Sequence, residues 1–137
     1  MKKLPRLSVD KALIALFIGA MDANGHISPR ELERGHHLVW STRRFRHRDG
    51  DEVGRIIYEM RELIETSDAD AVVAAAVKAI PRRLRPSAFA VVTDLLLADG
   101  RLDAQERAFL QRLGADMAID AALRRRIVDV VLLKNQL

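Results

Sequence analysis

At 137 residues, 49% apolar and 31% charged, the chain has the composition of one globular domain with its own core, which excludes a disordered or fibrous protein. It has no cysteine, which excludes disulfides, thiol catalysis and thiolate metal sites and fits a reducing, cytoplasmic setting. The net charge of +4 leaves an anionic partner open, and 4% aromatics means a core built of Leu, Ile, Val and Ala.

Ser8 is placed to cap a first helix running to about Met21, with Leu13, Leu16, Phe17 and Ala20 on one face and Val9, Ile14 and Ile18 on the others. A helix apolar on all sides belongs in the core. The run from Ala12 to Met21 follows Lys2, Lys3 and Arg6, as in a signal peptide. It is interrupted before it by Ser8 and Asp10, ends at Asp22-Ala23-Asn24-Gly25 instead of a cleavage site, and is too short to span a bilayer. It reads as a buried helix, not a targeting segment. A second helix starts at Ser28 as N-cap, with Pro29 at N1, Glu31 at N3 and an Ile27/Leu32 staple; Leu32, Val39 and Trp40 carry its inward stripe.

Residues 43–50 read as an exposed basic helix end and turn. Asp49 or Asp51 opens a third helix, with Val53, Ile56, Ile57, Met60, Leu63 and Ile64 at helical spacing. Ser67 with Asp70 opens a fourth, stopped by Pro81. Pro86 and Ser87 lead into a fifth, from Ala88 to about Ala98, apolar except for Asp94. Asp103 at N-cap and Glu106 at N3 open a sixth, with Gly114 marking its end. Asp120 caps a seventh, with Leu123, Ile127, Val130 and Val131 inward. No segment alternates with period two and no low-complexity linker divides the chain. The expected fold is all-α: a compact bundle of about seven helices in two pseudo-symmetric halves, one domain over residues 1–137.

The halves are suggested by a motif that occurs twice. An apolar helix runs into Asp22-Ala23-Asn24-Gly25-His26-Ile27-Ser28-Pro29-Arg30-Glu31, and another into Asp99-Gly100-Arg101-Leu102-Asp103-Ala104-Gln105-Glu106. Neither copy is a working EF-hand. With Gly25 at the sixth position, the first position is Ala20; in the second copy the first and third positions are Leu95 and Leu97, well short of the oxygens calcium requires. A looser arrangement stands: if the turns meet across the two halves, Asp22, Glu31, Asp99 and Glu106 offer hard oxygen ligands to a divalent cation. Beside it stands a structural account, in which Glu31 and Glu106 complete capping boxes and Asn24 and Asp99 form turns.

His26, His36, His37 and His47 include no pair at the spacing of a zinc site. There is no phosphate-binding glycine loop and no nucleophile elbow, so a binding protein is expected and not an enzyme. The arginines bunch at residues 43–48, 82–85 and 124–126. They read either as solvated helix ends or as a surface for nucleic acid or anionic membrane, with Arg43, Arg44, Arg46 and Arg48 the leading candidates.

The doubled motif resembles that of the TerB-like (tellurite-resistance protein B) family, over roughly residues 12–119. The second copy matches closely; the first departs where the family has Asp-Gly and this chain has Asn24-Gly25. The resemblance implies a compact helical bacterial domain associated with tellurite resistance and envelope or chemical stress, a protein partner, and acidic motif residues that take a divalent metal. Some members of the family are fused to membrane-anchored J-domain co-chaperones.

Overall fold

The computed structural model describes residues 4–23, 28–98 and 100–137. Among them are seven α-helices and no strand: α1 (Val9–Met21), α2 (Pro29–Ser41), α3 (Gly50–Thr66), α4 (Ala69–Ala79), α5 (Arg85–Leu96), α6 (Ala104–Asp116) and α7 (Ala121–Lys134), with a 3-10 turn (Arg82–Leu84) ahead of α5. None of these helices is long and apolar enough to cross a membrane.

The helix starts follow from local chemistry. Ser8, Ser28, Asp49, Asp103 and Asp120 each accept a backbone N–H of the first turn with a side-chain oxygen. At α4 the cap is Asp68 rather than Ser67: its carboxylate accepts from Asp70 N, and Ser67 instead closes α3. Pro86 lies within the first turn of α5, which therefore begins earlier than Ala88.

α1 is the hub. Every residue from Ala12 to Met21 is buried, and the helix packs against α2, α3, α4 and α5. Its approach to α4 is close: a Cβ on Gly19 would sit 2.6 Å from Val73 Cγ2. α5 is the second spine, packed on α1, α2, α6 and α7, with Phe89, Val92 and Thr93 almost fully enclosed. The motif copies thus connect α1 to α2 and α5 to α6.

Three expected inward or terminal residues behave differently. Trp40 is 36% exposed and Val130 62% exposed. Trp40 lies in the last turn of α2, where the neighbouring Val39 takes the core position; on α7 Val131 does so in place of Val130. Gly114 does not end α6, which continues to Asp116. Ala118 ends it instead, at φ 56°: Ile119 N donates to Gly114 O at 3.1 Å and Ala118 N to Ala115 O at 2.9 Å, a Schellman motif without its usual glycine.

Candidate functional site

Each motif turn delivers a glutamate into the first turn of a helix. In the second copy Glu106 N donates to Asp103 Oδ1 at 2.7 Å and Asp103 N to Glu106 Oε1 at 3.0 Å, a complete capping box. In the first copy Glu31 N donates to Ser28 Oγ at 3.1 Å, and that hydroxyl lies 3.2 Å from Glu31 Oε1. The serine hydroxyl thus accepts from the backbone and donates to the carboxylate. Gly100, at φ 82°, supplies the left-handed residue that the second turn needs.

Glu106 senses the charge around it. Burial raises the Glu106 carboxyl above its ordinary range; the Asp103 N–H opposes this, and the negative charges of Asp103 and Glu31 add to the rise. Of the four expected metal ligands, Glu31 and Glu106 are linked by this charge effect. Asp22 lies instead on a cleft of about 420 Å³ between the end of α1, the start of α4 and α6, with Gln105 on its far wall. Arg112 and Asp70 form an ion pair at 3.2 Å beside it. Asp99 lies outside the described residues, as do Asn24, Gly25, His26 and Ile27. Among the described residues no group of three His, Asp or Glu side chains is placed to hold an ion.

Asp94, the lone carboxylate of α5, is a cross-helix anchor. Arg34 Nη2 of α2 donates to its Oδ1 at 3.0 Å, Asn135 Nδ2 donates to the same oxygen at 3.3 Å, and Lys134 Nζ lies 3.3 Å from it. Asn135 also donates to the Leu97 carbonyl at 3.4 Å, at the entry to the second motif turn. Periodicity singled out Asp94 but could not supply its partners, which lie about 40 and 60 residues away.

The basic segment after α2 is less open than its composition suggests. Phe45 is buried and fastens it to the core. Arg44 and Arg48 both bind Asp10 of α1, and Arg48 also binds Glu52. Burial works to raise the Asp10 carboxyl, but the two guanidinium groups prevail and hold it below the ordinary carboxylate range. Arg43, Arg46 and His47 remain exposed. His36 and His37 are also exposed, on the outer side of α2.

A family model described as tellurite resistance protein TerB matches residues 10–128. No curated protein and no solved structure matches the chain.

Proposed function

The chain belongs to the tellurite resistance protein TerB family, and from that premise we propose that it is a non-enzymatic stress-response domain that works by binding, with a divalent cation held at its paired acidic turns. What supports the reading is the repeated motif, which sets an N3 glutamate at the start of both α2 and α6, with the negative charge of Glu31 adding to the rise of the Glu106 carboxyl. A cation between them would offset that repulsion. Carboxylate oxygens suit a hard ion such as calcium, magnesium or manganese, and the chain has no cysteine to favour zinc. Asp22 and Asp99, which belong to the same motif copies in the sequence, would be the further oxygen donors. The ion would supply fixed positive charge and join the α1–α2 hairpin to the α5–α6 hairpin; tellurite resistance is the physiological setting that the family suggests.

The complete capping box at Asp103 and Glu106 favours a second reading, in which these side chains only start helices. The double variant Glu31→Gln/Glu106→Gln separates the two. Gln can serve a capping box but is a poor ligand for a hard cation. The expected result is a rise in wild-type melting temperature of roughly 5–10 °C with calcium, magnesium or manganese at a hundredfold excess over Kd. The variant should lose that rise, and without metal it should be at least as stable as the wild type. Absence of any metal-dependent shift in the wild type would leave the capping reading standing.

A further inference from the structure

α6 and α7 both pack on α5, and a groove of about 450 Å³ opens between them. Its floor is apolar: Phe89 of α5, Leu102, Leu110 and Val128. Its walls are basic, with Arg107 on the α6 side and Arg124 and Arg125 on the α7 side.

Arg124 is the telling residue. Four arginines are half-buried among the described residues: Arg34, Arg48, Arg85 and Arg124. Arg34 and Arg48 bind carboxylates, and Arg85 donates to the carbonyls of Ile80 and Met117. Arg124 has no such partner; its Nε is buried and without a hydrogen bond, as is that of Arg34, but Arg34 is held by Asp94 through Nη2. A buried guanidinium nitrogen left unsatisfied costs free energy, and no carboxylate among the described residues compensates the charge of Arg124. The side chain is also seated deliberately. Its stem crosses α6 at Gly114, where any Cβ would fall only 2.3 Å from Arg124 Cδ. Gly114, in the last turn of α6, makes room for that arginine.

We infer that the α6–α7 groove is a docking site for an acidic amphipathic peptide segment of a partner protein. The apolar floor would take a row of aliphatic side chains, and carboxylates flanking that row would meet Arg107 on one side and Arg124 and Arg125 on the other. Charge complementarity selects this occupant. A bilayer is a poor fit because the apolar residues are recessed: Phe89 is 1% and Leu110 6% exposed. A nucleic acid is a poor fit because the groove carries Asp129 and offers no exposed aromatic ring on which to stack a base. For a peptide, Asp129 and Gln111 are instead ready partners for the free N–H groups of the first turn of its helix. The site is separate from the Glu31/Glu106 pair and does not depend on a bound cation.

The test measures binding of a short, fluorescently labelled, amidated helical peptide with a leucine face flanked by glutamates, by anisotropy at two ionic strengths. Wild-type protein should bind it, and the same peptide with every Glu replaced by Gln should bind at least about tenfold more weakly. Arg107→Gln/Arg125→Gln removes two exposed side chains and should also cost about tenfold, with an unchanged melting temperature. Arg124→Gln should weaken binding too, and Gly114→Ala should do so by displacing Arg124. Arg43→Ser/Arg46→Ser, on a different surface, should bind as wild type does. Equal binding of the Glu and Gln peptides, equal loss in the Arg43/Arg46 variant, or preferential binding to phosphatidylglycerol vesicles would overturn the proposal.

Discussion

Single residues set local energies that experiment can read directly. Ala118 occupies the left-handed position of the α6 C-terminus, where a Cβ is unfavourable by about 1 kcal/mol or more. Ala118→Gly keeps both hydrogen bonds of the motif and is expected to stabilise the fold by about 0.5–1 kcal/mol after glycine's entropic cost, seen as a melting temperature a few degrees higher. Asp10 and Glu106 give pH effects of opposite sign. The Asp10 carboxyl is lowered on folding, so its stabilisation is present above the unfolded pKa, near 3.8, and is lost as pH falls through the folded value. Asp10→Asn should flatten the acid limb of the stability profile. The Glu106 carboxyl is raised, so its stabilisation is full below the unfolded value, near 4.5, and is lost as pH rises through the folded one. Glu106→Gln should remove that decline, which urea titrations at pH values on either side of the window would show.

Helices were the most legible elements, because a cap and an apolar stripe are local properties. Ser28-Pro29 with Glu31, and Asp103 with Glu106, announce α2 and α6 from four consecutive positions each. Ser67 and Asp68 are adjacent and both competent, and only the geometry leaving α3 gives the cap to Asp68. Gly114 looked like a terminator because glycine often is one; its real reason, the passage of Arg124, involves a residue on another helix. The same limit hid the pairing of Arg44 and Arg48 with Asp10, more than thirty residues away. Of the candidate site, the two glutamates are legible as a repeat, because each stands at N3 behind a cap that four consecutive residues announce. The α1–α4 crossing allows a sharp check. Gly19→Ala should gain up to about 1 kcal/mol of helix propensity, yet it drives a methyl into the stiff, β-branched Val73. A net loss of about 1–2 kcal/mol is expected in chemical denaturation, and Val73→Ala should relieve it in the double variant.

At the scale of the molecule, Asp94 ties α2, α5 and the end of α7 to one carboxylate. Asp94→Ala leaves Arg34 half-buried without its partner and is expected to cost about 2–4 kcal/mol in the same denaturation measurement, less if Arg34 is truncated with it. The hub position of α1 has a different consequence, one of timing. Its ten buried residues rely on α4 and α5, and α5 is complete only about 75 residues further along the chain. At ordinary rates of synthesis that interval is roughly 4–15 s. For those seconds the ribosome carries a strongly apolar helix covered only in part, by α2, then α3 and α4, an inviting target for chaperones and for other nascent chains. Release or arrest of translation before Leu96 should therefore yield a protease-sensitive, chaperone-bound product, and resistance should appear abruptly once α5 has emerged.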